Sequence, residues 1–432
     1  MSEPIAQQPP TEPRSAWRNS DFVKVWGAQA SGLVGQQFSV LAMPLVAILT
    51  LDASPATVAL MVASFNVPWV LVGLFVGVAV DRWPRRSVLI FTDLARALML
   101  LSIPVCAWLG VLSIPQLFAL GFIIGTLDVF WLTAFRSYVP AVVETRHLSQ
   151  AYSLIGASDS VTRTAAPSLA GGAVQLIGAP LGLAVTSLAY LGSAILNATI
   201  RRREPPRQHE DHEPVLKAFL DGLRYTARHK LVLAMACSNA TYTFFWALLE
   251  SVLLVFLARQ LGLPPATIGL IFTIGTLGGL LGAATARGIG RRFGIGRSLL
   301  IGSTLRSIGI AGTAAIGFLA ADPGLGAIIG LMAARAVNSF GWTLWEIHHE
   351  TTQQRLITDE VRGRVSGSVL FLSGTMLALG SATGALVVSQ LGLVPTLLVG
   401  GIGTLLAIAW IARPRFARAT DQAVEDALSR TP

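Results

Sequence analysis

The 432-residue chain is 53% hydrophobic and 13% charged, about half the charged fraction of an ordinary soluble domain. With a mean hydropathy of +0.63 and apolar runs near the ~20 residues that a spanning helix needs, the composition excludes a soluble enzyme and indicates a polytopic helical membrane protein. The formal net charge of +9 does not indicate nucleic-acid binding, because the basic residues fall in short loops between apolar runs and not on one soluble face.

Residues 1–20 are polar and Pro-rich, without the short apolar region and small-residue cleavage site of a removable signal, so the first span is expected to direct its own insertion. Charged, Pro and Gly punctuation then cuts the chain into twelve spans, near 22–50, 57–80, 88–108, 115–139, 150–177, 180–200, 231–258, 267–287, 298–320, 326–350, 361–389 and 393–412. If the loops alternate sides, one set holds the arginine clusters, among them Arg82, Arg85, Arg86, Arg291, Arg292, Arg297, Arg362 and Arg364, and the opposite set contributes Arg259 alone. The excess of positive charge on cytoplasmic loops then predicts that both termini are cytoplasmic.

The expected division is a tail at 1–21, a six-span bundle at 22–200, a cytoplasmic linker at 201–230, a second six-span bundle at 231–412 and a tail at 413–432. Within the linker, Leu216, Phe219, Leu220 and Leu223 recur at helical spacing opposite Lys217, Arg224 and Arg228, the pattern of an amphipathic helix on the membrane surface. The halves repeat: Arg86-Ser-Val-Leu-Ile90 returns as Arg297-Ser-Leu-Leu-Ile301, and Gly77 with Arg85-Arg86 answers to Gly282 with Arg291-Arg292. A duplicated six-helix unit explains both. Cys106 and Cys237 lie inside apolar runs, which supports neither a disulfide framework nor a thiolate metal site.

Gly77-Val-Ala-Val-Asp81-Arg82-Trp-Pro-Arg85-Arg86 resembles the cytoplasmic signature of the major facilitator superfamily, with Pro84 where glycine is customary. LIFTDLARAL after it and Val361-Arg-Gly-Arg-Val365 at the start of span eleven are similar to the branch of enterobactin, macrolide and tetracycline exporters. Pro167, Gly171 and Gly172 in span five resemble the Gly/Pro motif of proton antiporters, with Ala166 at its first glycine. The resemblance implies an all-α membrane protein of twelve transmembrane helices in two pseudo-symmetric bundles. It also implies a cytoplasmic gate formed by Gly77, Asp81, Arg82, Arg85 and Arg86. Asp93 and Arg96, one turn apart in the cytoplasmic third of span three, are read as part of that gate.

An ionisable residue in hydrocarbon costs about 2.5 to 3.5 kcal/mol even on lenient scales, so each such residue needs a partner, a wet cavity or a function. Asp128 and Glu250 have no cation within helical reach, and an unpaired carboxyl in hydrocarbon favours the neutral form that proton coupling requires. Arg163 or Arg335 from neighbouring helices could instead neutralise them. Asp159 and Arg163, spaced i and i+4, share one helix face, where an ion pair is the simpler reading. Together with Arg335 and Glu346 these form the candidate set for proton coupling or substrate binding, while Arg306 and Glu350 are placed near the cytoplasmic ends of their spans.

Glu346, His348, His349 and Glu350 have the residue types of a metal site. Adjacent histidines, however, point about 100° apart on a helix, and no metal site is expected. Trp69, Phe130, Trp131, Tyr242, Phe245, Trp246 and Trp342 are expected to line a large apolar cavity. No phosphate-binding or nucleophile motif stands in a strand-to-helix context, so the chain is not expected to be an enzyme. The expected function is a monomeric bacterial inner-membrane exporter of small amphipathic substrates, exchanging them for protons across the lipid bilayer and using no cofactor beyond the proton gradient. A lipid flippase or siderophore exporter of the same fold is the nearer alternative, and a non-transporting receptor or scaffold the more distant one.

Overall fold

The computed structural model describes residues 19–201, 215–319 and 324–412, with residues 416, 418 and 420–422 beyond them. Among the described residues all regular structure is helical. Helix α1 (Ser20–Leu49) starts where the Asn19 side chain accepts from the backbone N–H groups of Asp21 and Phe22 at 3.1 and 3.2 Å, satisfying donors that a helix start leaves open. Helix α2 (Pro55–Leu71) opens on Ser54, which caps Thr57, with Pro55 in the first turn. Pro68 lacks an N–H for the preceding turn. The helix breaks at Val72, and α3 (Gly73–Arg82) completes span two as a second piece.

The first half continues with α4 (Arg85–Trp108), α5 (Ile114–Val142), α6 (Leu148–Ile177) and α7 (Ala179–Ala198). The amphipathic α8 (Val215–Arg228) follows. The second half contains α9 (Lys230–Val255, extended by a π turn at Phe256–Gln260), α10 (Pro265–Phe293), α11 (Ile295–Leu319), α12 (Leu325–Leu356), α13 (Asp359–Leu391) and α14 (Leu393–Ala409). Among the described residues nine helices are long and apolar enough to cross a membrane. The broken α2–α3, the more polar thirty-residue α6 and the short apolar α14 bring the spans to twelve. The duplication shows in the backbone as well: α6 ends on Gly178 at φ 84° and α13 on Gly392 at φ 85°. Each is a left-handed stop, between spans five and six and between eleven and twelve, where a Cβ would be strained.

Within the first half α1 and α4 pack on α7, and α2 and α4 on α5. Within the second, α9 packs on α13 and α14, and α11 and α12 pack together. The halves meet through α6 with α10 and α2 with α13, two contacts that exchange when the halves are exchanged. Small residues permit the first. A Cβ on Gly171 would strike the Pro265 carbonyl, and one on Gly269 would strike the Pro167 carbonyl, so the backbones lie close, as small-residue helix interfaces do in membranes. Ser168 and Thr273 hydroxyls bridge the same interface at 2.7 Å.

The apolar core is divided unequally. Away from the arginine-rich loops a single cluster runs through both halves, from Leu41, Val46 and Met61 to Leu253, Phe256 and Ile310. Toward the arginine-rich face it separates into one cluster in the first half, around Phe22, Val80 and Tyr138, and two in the second, around Leu299 with Trp345 and around Val365. The bundles are therefore welded at one face and parted at the other. Helix α8 lies on the parted face and docks on α13: the Ser368 hydroxyl donates to the Phe219 carbonyl at 2.9 Å, and Phe219 meets Phe371 edge to face at 5.0 Å. Leu220 and Leu223 remain exposed, so part of this helix's apolar surface is not covered by the described residues. The Leu216 side chain lies outside the described residues.

Candidate substrate cavity and its charge network

A cavity of about 320 Å³ lies within the first bundle. Gln29, Gly32 and Gln36 reach it from α1, Trp69 from α2, Arg96 from α4, Asp128, Trp131 and Phe135 from α5, and Asp159 and Arg163 from α6. Its centre is a charge triad. Arg96 donates through Nη1 to Asp128 and through Nη2 to Asp93, each at 2.6 Å, and through Nε to the Thr92 carbonyl at 3.3 Å. The second oxygen of Asp93 accepts from Ser193 at 2.6 Å and Asn197 at 3.2 Å. The guanidinium carbon stands 4.4 Å from the centre of the Tyr190 ring and 5.5 Å from that of Trp131. Two acids with one cation leave the triad with one net negative charge, and Asp128, whose side chain is 17% exposed against 0% for Asp93, is the member nearer water.

The structure corrects two expectations here. Asp93 and Arg96 do not belong to the arginine-rich gate, because their side chains are buried between α4, α5 and α7 and Arg96 lines the cavity. Asp128 is not unpaired either; its cation comes from α4, a neighbouring helix that reading along α5 alone could not supply. Glu250 is likewise paired, bidentately with Arg335 of α12 at 2.8 and 3.0 Å, and the Arg335 guanidinium lies over Phe272 at 4.7 Å. Asp159 and Arg163 form their i,i+4 pair at 2.8 Å, and both face the cavity. Glu346 is exposed one turn beyond Trp342 on α12.

The predicted aromatics are only partly gathered. Trp69 and Trp131 line the cavity, with Trp131 stacked on Phe135 at 4.9 Å, and Trp69 also lines a second cavity of about 450 Å³ between α2, α5, α8 and α13 that includes Arg136, Arg364, Phe219 and Phe371. Neither cavity includes Phe130, which stacks on Trp83 at 6.2 Å; Phe245, which abuts Gly400 and Gly403; or Trp246, which packs on the core. Tyr242 and Trp342 meet each other in the second bundle at 5.6 Å. Of the signature cations, Arg85 donates to the Ser137 carbonyl at 3.1 Å, and Arg86 donates to the carbonyls of Asn197, at 3.0 Å, and Ala198, neutralising the negative end of α7. Arg82 is exposed, a Cβ on Gly77 would meet nothing within 4 Å, and the Asp81 side chain lies outside the described residues. Pro167 and Gly171 form the α6–α10 contact, whereas a Cβ on Gly172 would meet nothing within 4 Å. His348 is bonded to the Leu344 carbonyl at 2.8 Å and His349 stacks on Trp345, so the adjacent histidines engage different neighbours.

On the welded face, Arg259 of the π turn reaches across to Asp52 at 2.5 Å and to the Ile48 carbonyl at 3.0 Å, and Gln175 accepts from the Ala266 N–H at 3.1 Å. Sequence reasoning missed Gln36 of the cavity and Tyr190, which packs on Arg96, and it misplaced Arg306, which is wholly buried in the middle of α11. The available signal for Arg306 was its position in span nine, the repeat's counterpart of span three with Arg96.

Two six-span bundles, joined at one face and parted at the other, with a charged, aromatic-lined cavity in the first, have the architecture of a membrane transporter. The family profile described as Major Facilitator Superfamily matches residues 25–385, and the chain belongs to that superfamily. It is 25% identical over 400 residues to the uncharacterized MFS-type transporter y4rN of Sinorhizobium fredii (strain NBRC 101917 / NGR234), covering 91% of this chain and 94% of that one. It is 23% identical over 380 residues to YfiS of Bacillus subtilis (strain 168), covering 87% and 88%. Among solved structures, the nucleoside transporter NupG shares the fold with a TM-score of 0.73 at 13% identity, over 91% of this chain and 98% of that one. A bacterial homologue of the iron transporter ferroportin, in an inward-facing state, does so with a TM-score of 0.70 at 15% identity, over 92% and 98%.

Proposed function

We propose that this transporter is a proton-coupled exporter of small amphipathic molecules, set in a bacterial cytoplasmic membrane with both termini in the cytoplasm. The observation that carries the reading is the Arg96 triad at the cavity. It holds two carboxylates and one cation, and a single proton on the cavity-facing Asp128 makes it neutral while Asp93 still holds Arg96. A group that can gain and lose a proton without losing its framework is suited to coupling. Glu250 is less suited, because its protonation would leave Arg335 without a counter-charge. The expectation of two equivalent coupling acids is thereby narrowed to Asp128.

In this reading the cavity facing the arginine-rich side takes up an amphipathic molecule from the cytoplasm, with Trp69 and Trp131 against its apolar body. Rocking of the two bundles about the α6–α10 and α2–α13 contacts then breaks the Arg259–Asp52 connection and opens the opposite side. There Asp128 takes a proton from the exterior, and the return stroke delivers it inside. The test is transport by purified protein in liposomes under an imposed pH gradient, against lipophilic cations, antibiotics and siderophores. Gradient-driven accumulation of at least one compound is expected, and movement indifferent to the gradient would reject proton coupling. Sidedness is read in intact cells: a cysteine at Ser54 is expected to react with an impermeant maleimide and one at Ser87 is not.

The second cavity favours one other reading. Arg136 and Arg364 beside Phe219 and Phe371, between α2 and α13, have the polarity of a lipid headgroup site, and lysophospholipid translocation in the same liposomes distinguishes it.

A further inference from the structure

Arg306 is the most unusual charge in the molecule. It is 0% exposed, yet among the described residues no carboxylate pairs with it. Its guanidinium is sandwiched between the rings of Tyr242 and Trp345, each centred 4.2 Å away, with Trp342 at 5.7 Å. Aromatic faces hold a cation but accept none of its hydrogen bonds in the guanidinium plane. With both faces covered, Arg306 can serve a partner only along its edge. One end of that edge is used, since Nη1 donates to Asn239 Oδ1 at 3.3 Å. Nε and Nη2 are buried and have no hydrogen-bond partner among the described residues. These two N–H groups point the same way from the guanidinium plane's edge and form the fork that receives a carboxylate or phosphate through two parallel hydrogen bonds. Ser303, one turn away on the same face of α11, also carries a buried hydroxyl without a partner.

The first bundle shows what a satisfied version looks like. Arg96 also lies against a tyrosine and a tryptophan, but all three of its nitrogens donate, two of them to carboxylates. The second bundle has the same aromatic setting without the acids. From this we propose that Arg306 is an oxyanion-binding site, in which the Nε–Nη2 edge takes the carboxylate or phosphate group of an amphipathic substrate and Trp342 holds the adjoining apolar part. The proposal rests on the transporter reading for the word substrate, though not for the binding. Trp342 is the part-exposed ring of the box, at 36%, and its rotation uncovers the fork toward the space between the bundles. Transported molecules are then amphipathic anions or zwitterions, not simple lipophilic cations.

The experiment is equilibrium dialysis of the full chain in phosphatidylcholine nanodiscs against naphthalene carboxylate, its neutral carboxamide and naphthyl phosphate. The parent is expected to bind at least one anion roughly ten-fold or more tightly than the carboxamide, the contribution of a charge-assisted fork. A preference for the carboxylate identifies an organic acid as the ligand class, and one for the phosphate a phosphorylated amphiphile. Arg306→Gln is expected to reduce anion affinity to that of the carboxamide. Arg306→Lys, which keeps the charge but lacks the fork, is expected to lose most of the preference. Equal binding of anions and carboxamide by the parent overturns the proposal and means that the orphaned donors are satisfied by internal water; so does a preference that survives in Arg306→Gln. The parent comparison decides even if a variant fails to fold. Transport and this site fail separately: anion preference without flux in liposomes rejects the transporter reading alone, and flux without anion preference rejects the oxyanion site alone.

Discussion

Arg96 and Arg306 stand in corresponding spans of the two bundles, each against a tyrosine and a tryptophan, yet one is held by two carboxylates and the other, among the described residues, by none. Both halves carry a left-handed stop, at Gly178 and Gly392, while the charges differ and the two tyrosines come from spans that do not correspond, Tyr190 from α7 and Tyr242 from α9. Packing residues make the fold and tolerate only similar replacements. Charges in a membrane interior are expensive, so where the halves differ in charge the difference points to function. The first bundle holds a self-contained network with room for one proton; the second holds a cation that no carboxylate among the described residues neutralises.

The sharpest way to break this comparison is to remove each arginine. Arg96→Met strands Asp93 and Asp128 together in the interior, and a loss of about 3 to 5 kcal/mol is expected, as for other broken buried pairs. Arg306→Met removes a cation that has no acid and places an unbranched apolar chain among aromatic rings, and the protein is expected to be as stable or more so. Thermal unfolding of the two variants in one detergent tests the pair. Equal destabilisation would mean that the bundles do not differ as described.

The next contrast concerns the carboxylates. Glu250→Gln leaves Arg335 unpaired at a partly buried position and is expected to lower stability by about 1 to 3 kcal/mol, with much of the loss recovered in the double variant Glu250→Gln/Arg335→Gln. Asp128→Asn leaves Arg96 with Asp93 and is expected to change stability by less than about 1 kcal/mol. The same thermal measurement separates them.

These partners mark where sequence reading ended. The twelve spans, the duplication and the superfamily were legible because hydrophobic run length, loop arginines and a local motif are properties of neighbouring residues. Arg96 with Asp93 was visible at i and i+3. Its third member, Asp128, comes from α5, so the triad exists only once two helices meet, and the Tyr190 ring beside it is brought by a third, α7. Arg306 misled for the related reason that an arginine in a span is usually near an end, and nothing in span nine reveals the rings that α9 and α12 bring to it. Phe245 and Trp246 were read as cavity residues because aromatic type does not tell which helix face is inward.

Smaller effects sharpen the contact between the halves. Gly171→Ala puts a methyl group against the Pro265 carbonyl, and a loss of about 1 to 3 kcal/mol is expected, whereas Gly172→Ala, which meets nothing, is expected to be neutral or slightly stabilising. If Gly172→Ala nevertheless stops transport, that glycine serves a conformation other than this one. Arg259→Gln is expected to leave the unfolding midpoint unchanged, because its partner Asp52 is 95% exposed. The same change loosens the welded face, and faster maleimide labelling of a cysteine at the buried Ala53 reads it.

The most direct measurement follows lumen pH in liposomes containing the purified chain as a transported amphiphile is added, with Asp128→Asn in parallel. Coupling through the Arg96 triad predicts substrate-driven proton movement in the parent and its loss in Asp128→Asn, with the protein still folded. Proton movement at the parent's rate in Asp128→Asn would contradict the account and place the coupling carboxylate elsewhere, with Asp159 the first to examine.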